Sequence, residues 1–118
     1  MLSEIEGEIE SLSSLMKALS NPLRLKILAL CSLKRRSNRE LRSMLGISKP
    51  LLILHLKELV RKGLLTVETE VDEERAIIRK YYRTADFDIH LNRGFFVSLG
   101  RRLDRSVDKG ESNSGDNP

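Results

Sequence analysis

Apolar residues fall on helical spacing from the start of the chain. Ile5, Ile9, Leu12, Met16 and Leu19 recur every three or four residues and predict an amphipathic helix over about residues 3–19. Ser20, Asn21 and Pro22 interrupt the pattern. Asn21 suits the N-cap of a second helix and Pro22 its first position. That helix reaches about Leu33, with Leu23, Ile27, Leu28 and Leu30 as apolar contacts. A short basic loop, Lys34, Arg35 and Arg36, follows. Ser37 and Glu40 have capping-box spacing and open a third helix carrying Leu41, Met44 and Leu45. Gly46 stands where a helix C-terminus takes a left-handed residue, and Ile47 reads as a buried turn position. Ser48 caps a fourth helix that tolerates Pro50 in its first turn, runs to about Lys62 and stops at Gly63.

The period then shifts from helix to strand. Leu65, Val67 and Thr69 mark a strand over residues 64–70, Val71 to Arg75 a charged turn, and residues 76–83 the returning strand. Phe87, Ile89 and Leu91 alternate and extend the chain further. Asn92 can cap a last helix to about Val107, with Phe95, Phe96, Leu99 and Leu103 on one side. From Asp108 the chain is rich in Gly, Ser, Asn and Asp, the composition of a disordered tail. The fold class expected is mainly α with a small antiparallel β-hairpin, a winged helix-turn-helix. It occupies residues 1–107, with 108–118 as the tail.

Composition narrows the function. The 118 residues suit one small domain, and with 4% aromatics and no Trp its core must be Leu, Ile and Val. The net charge of +4 is unevenly placed: residues 34–62 hold nine Lys or Arg against two acids, whereas Glu4, Glu6, Glu8 and Glu10 face only Lys17 in the first twenty residues. A concentrated basic stretch is the footprint of a nucleic-acid partner, and a solvated helix surface is the alternative. Cys31 is the single cysteine, so no internal disulfide forms, which suits a reducing cytoplasm. No apolar run reaches membrane-spanning length, and the acidic start is not a signal peptide. The absence of Gln matches thermophile composition. With two histidines, no nucleophile–base pattern and no Gly-rich phosphate loop, the chain offers no catalytic residues and calls for no cofactor.

Two short helices, a tight turn, a further helix and a hairpin have a direct logic. The third helix orients the fourth, the fourth lies in the major groove of double-stranded DNA, and the hairpin runs along the backbone. The run MKALSNPLRLKIL (residues 16–28) resembles the opening of the ArsR-like winged-helix regulators. LGISKP (45–50), HLKEL (55–59) and RKGLL (61–65) resemble their recognition helix, and Tyr81, Tyr82 and Arg83 the end of their wing. The resemblance covers about residues 15–83. It implies a dimeric transcriptional regulator, acting as a repressor. The Pro50-Leu51-Leu52 style resembles archaeal members and implies an archaeal source. On this reading Lys49, Leu51, His55 and Lys57 approach the DNA, and Ser48 and Arg42 meet phosphate. Arg35, Arg36 and Arg39 support from the preceding turn, and Arg75 and Arg79 from the wing. ArsR-like proteins dimerise through their terminal helices. The stripes Ile5, Ile9, Leu12, Met16 and Phe95, Phe96, Leu99, Leu103 would supply that homodimer interface.

The chain departs from the family in several places. Leu51, Ile53 and Leu54 stand where members often carry Ser, Thr or His. Leu and Ile touch only thymine methyls, or else pack against a neighbouring helix or a partner subunit. The wing tip, Asp72, Glu73 and Glu74, would repel phosphate. The Cys pair of the metal sensors is missing from the third helix. Near the last helix, Asp86, Asp88 and His90 lack a second nitrogen ligand downstream, where Arg101 and Asp104 or Leu99 and Arg102 stand. No metal site is therefore expected. Cys31 reads as a small core residue, with a thiol switch favoured by Lys34, Arg35 and Arg36 as the alternative. Two other functions fit the same elements. One is a protein-interaction module docking a protein partner in transcription on Leu51, Ile53 and Leu54. The other is a low-specificity, chromatin-type DNA-binding protein.

Overall fold

The computed structural model describes residues 2–110. In chain order these form α1 (Leu2–Leu19), α2 (Pro22–Leu33), β1 (Arg36–Ser37), α3 (Asn38–Leu45), α4 (Lys49–Arg61), β2 (Leu65–Asp72), β3 (Ile77–Thr84) and α5 (Arg93–Gly110). They divide into two compact units. One spans Leu15–Phe87, and the other joins residues up to Ser14 with those from Asp88 onward.

Local chemistry sets the helix ends in the first unit. Asn21 Oδ1 accepts from the amides of Leu23 (2.9 Å) and Arg24 (3.3 Å) and starts α2. Ser37 Oγ accepts from Glu40 N (3.1 Å), while Ser37 N donates to Glu40 Oε1 (3.0 Å), a complete capping box on α3. Gly46 ends α3 in the left-handed region (φ 66°) and donates to Arg42 O at 2.8 Å. Gly63 (φ 75°) does the same after α4.

The core gathers Ile27, Leu41, Leu52, Leu56, Leu59 and Leu64, with Ala18 and Cys31 beside them. Tyr82 of β3 packs against it. The sheet order is β1-β3-β2, antiparallel throughout, with Arg36 opposite Tyr82, and β2 and β3 paired from Leu65–Thr84 to Asp72–Ile77. Thr84 Oγ1 donates to Leu28 O (2.6 Å) and ties β3 to α2. This is a winged helix-turn-helix: α3 and α4 are the helix pair, and β2 and β3 the wing.

The structure corrects some boundaries. β1 replaces part of the expected basic loop, because Arg36 and Ser37 find partners in β3. Val71 and Asp72 stay in the strand rather than the turn. Residues 73–76 make the turn, in which Ala76 adopts φ 53° and so is not the start of the returning strand. Asp72 Oδ1 accepts from Arg75 N (3.2 Å) and stabilises that turn.

In the second unit, Asn92 Oδ1 caps α5 by accepting from Phe95 N (2.9 Å). Ile5 is buried, and Arg102 grips Glu8 through two bonds of 2.8 Å. α5 runs to Gly110, so residues 108–110, read from sequence as tail, are helical. The rest of the expected disordered tail lies outside the described residues.

A test of the rotation of α4 follows from burial. Leu56→Ala should cost about 2–5 kcal/mol in urea unfolding, because it opens a cavity in the core. Leu54→Ala, two residues away on the exposed side, should stay within about 0.5 kcal/mol. Equal losses would contradict the assignment of faces.

Candidate nucleic-acid interface

α4 begins at Ser48, whose Oγ accepts from Leu51 N (3.4 Å). With 3.6 residues per turn, burying Leu52, Leu56 and Leu59 sends Leu54, Lys57 and Arg61 outward, with Leu51 on the flank and Lys49 exposed at the start of the helix. Lys49 and Lys57 are exposed, and neither forms an ion pair among the described residues. Arg61 is held by Glu58 at 2.8 Å. Leu51 is 40% exposed and Leu54 is 61% exposed. The packing of these leucines on a neighbouring helix, weighed from sequence, does not occur within the first unit.

The structure brings together on this surface only part of the set named from sequence. Ser48, Lys49, Leu51 and Lys57 share the exposed side and start of α4, and Arg39 is exposed on α3. Arg42, on α3, is tied to Asn38 Oδ1 at 2.8 Å. His55 is a correction. It is 6% exposed, and its Nδ1 accepts from Arg24 Nε at 3.0 Å. Arg24, on α2, was not singled out from sequence. Its side chain also donates to Ala18 O (3.4 Å). His55 therefore braces α4 against α2 instead of facing solvent.

Arg35 and Arg36 are also redirected. The Arg35 guanidinium pairs with Glu68 (3.2 Å) and with Glu70, and lies 4.2 Å over the Tyr81 ring. Arg36 Nε donates to Leu30 O (3.1 Å). Arg83 takes the other Glu68 oxygen at 2.7 Å. The cations of Arg83 and Arg35 hold the Glu68 carboxyl below the usual carboxylate range. At the wing tip Arg75 stays near Asp72 (3.9 Å), while Glu73, Glu74 and Arg79 are exposed. The wing thus spends Arg35 and Arg83 on its own acids.

Cys31 is fully buried, and burial pushes its thiol up to about 11, outweighing the nearby Arg36. The thiolate that a redox switch needs is therefore disfavoured, contrary to the alternative drawn from the neighbouring cations. Among the described residues no three His, Cys, Asp or Glu side chains gather as a metal site, and His90 meets only Asp88 at 3.1 Å. No helix among them is long and apolar enough to cross a membrane.

Fold and surface together define a winged helix-turn-helix with a basic outward helix. Comparisons with known proteins agree on the fold. An HTH-type transcriptional regulator of Methanocaldococcus jannaschii, itself uncharacterized, is 29% identical over 83 residues, covering 70% of this chain and 85% of that protein. The structure of reduced HlyU from Vibrio cholerae matches with TM-score 0.57 and 26% identity, over 88% of this chain and 96% of that one. A homodimeric winged helix-turn-helix DNA-binding domain from Mycobacterium bovis, a possible ArsR-family regulator, matches with TM-score 0.61 and 22% identity over 92% and 93%. No protein-family model matches the chain.

His55 sets a pH dependence. Burial first, and the Arg24 charge second, hold its pKa below the ordinary 6.5. The unfolded chain therefore takes up this proton first, so stability is intact above about pH 6.5 and falls as pH drops through the window beneath it. Urea unfolding at pH 7.5 and 5.5 should show this loss in the parent and a smaller one in His55→Asn. Identical losses would remove His55 as the cause.

Proposed function

We propose that this protein is an ArsR-like transcriptional regulator that binds double-stranded DNA as a homodimer, with α4 in the major groove. The observation that carries the reading is the outward face of α4. Lys49 and Lys57, without ion pairs among the described residues, accompany exposed Leu51 and Leu54 on a helix whose back is buried in the core. The similarity to HTH-type and ArsR-like regulators supports DNA as the partner, and the M. jannaschii relative supports an archaeal source. Such a protein works in the cytoplasm, without catalysis or cofactor. Repression by occupying a promoter is the simplest consequence of its binding. Ser48 and Arg39 meet phosphate beside the lysines, and Arg79 is an exposed wing cation that can join them.

The homodimer rests on the second unit. Phe96 is 55% exposed on α5, with Val97 and Val107 also open, and the M. bovis domain is homodimeric. Ile9, Leu12, Phe95, Leu99 and Leu103 of this unit are half-buried in the single chain and would complete that contact, whereas Met16, also named from sequence, belongs to the first unit.

DNA titrations at several salt concentrations test the reading. A genomic fragment bound at least about a thousandfold tighter than random duplex marks a specific regulator. Uniform, steeply salt-dependent binding marks the chromatin-type alternative. No binding near physiological salt leaves the protein-interaction module. Lys49→Ala should weaken binding and lower the salt slope by about one unit, and an unchanged slope would take α4 out of the groove. Phe96→Glu should shift the sedimenting species from two chains to one and weaken DNA binding with it. A dimer that persists would move the interface elsewhere.

A further inference from the structure

We infer that Leu54, with Leu51 beside it, is a specificity-determining residue that selects DNA by the C5-methyl groups of thymine. The inference deepens the DNA-binding reading and rests on it. Rotation of α4 is fixed by Leu52, Leu56 and Leu59, which are all but fully buried, and that rotation centres Leu54 on the outward side. One turn before it lies exposed Pro50, and Lys57 and Arg61 follow at the third and seventh positions. Leu51 stands about a sixth of a turn to the side. No Ser, Thr, Asn or Gln lies on α4, and its one histidine is turned into the core against Arg24.

The chemistry of readout then narrows sharply. In the major groove each base pair offers acceptors, donors and, for thymine alone among the four bases, a methyl group. An isobutyl side chain neither donates nor accepts a hydrogen bond. Placed against a guanine O6 or cytosine N4 it would strip water from a polar group and return nothing. Placed against a thymine methyl it removes apolar surface on both sides. Lys57 on the outward side and Lys49, exposed at the first position of the helix, supply the phosphate attraction that brings this apolar centre to the groove. Charge complementarity thus commits the exposed leucines to duplex DNA as the occupant. Discrimination falls on thymine-bearing positions, and differences among the other three bases on the contacted strand are read weakly.

The test removes the methyl and nothing else. Duplexes selected by the protein from a randomised library are remade with deoxyuridine in place of thymidine, which keeps every hydrogen-bonding group. Burying a methyl is worth about 0.8 kcal/mol, so affinity should fall about fourfold per contacted methyl. Leu54→Ala should bind the thymine duplex more weakly, lose most of the thymine–uracil difference, and keep the parent's salt slope. Equal affinity of the parent for both duplexes, with a steep salt slope, would overturn methyl readout and leave DNA binding standing. Recovery of no bound duplex from the library near physiological salt would overturn the DNA-binding reading and this inference with it. A thymine preference that Leu54→Ala and Leu51→Ala both retain would move the readout off α4.

Discussion

The buried seam of α4 decides what the protein can present. Leu52, Leu56 and Leu59 lie against Leu41 and Ile27, and each buried leucine contributes about 1.5–3 kcal/mol. Turning the helix by one residue, about 100°, would carry part of this seam into water. The outward side is therefore not free to vary in orientation: whichever residues sit opposite the seam face outward. Arg24 adds direction to the packing, because its bond to His55 Nδ1 links α2 to the middle of α4. The Ser48 cap and the Gly46 turn set where α4 begins. Core, cap and turn together deliver Lys49, Leu51, Leu54 and Lys57 to the surface as one arrangement.

The wing is built on a different principle. Its strands carry Glu68, Glu70 and Asp72 on one side, and these would repel one another and any phosphate. Arg35, just before β1, and Arg83 from β3 answer two of them, and Arg35 also stacks on Tyr81. Exposed ion pairs of this kind add little stability singly, yet they fix where a hairpin lies. Cations that could have met DNA hold the wing in place instead. That leaves Lys49 and Lys57 of α4, Arg39 at the start of α3 and Arg79 of β3 exposed.

Most of the architecture was legible in the sequence because it is written locally. Asn21, the Ser37–Glu40 pair, Gly46, Ser48 and Asn92 announce helix ends within four residues, and the structure uses each of them. The misreadings share one cause: a partner distant in sequence. His55 looked like a surface residue of a basic helix, but Arg24, thirty-one positions earlier, turns it inward. Arg35 looked available, but Glu68 is thirty-three positions later. β1 is two residues long and carries no period to read. Leu54 was recoverable: once Leu52, Leu56 and Leu59 are taken as the buried side, helical phase alone points Leu54 outward.

The central claim is that the outward side of α4 enters the major groove of duplex DNA. Guanine N7 lies in that groove, so dimethyl sulfate footprinting of a bound duplex reports on it directly. The account predicts N7 protection in two half-sites about one helical turn apart, lost when Lys49 and Leu54 are both replaced by alanine. Bound DNA whose guanine N7 atoms remain fully reactive would contradict it.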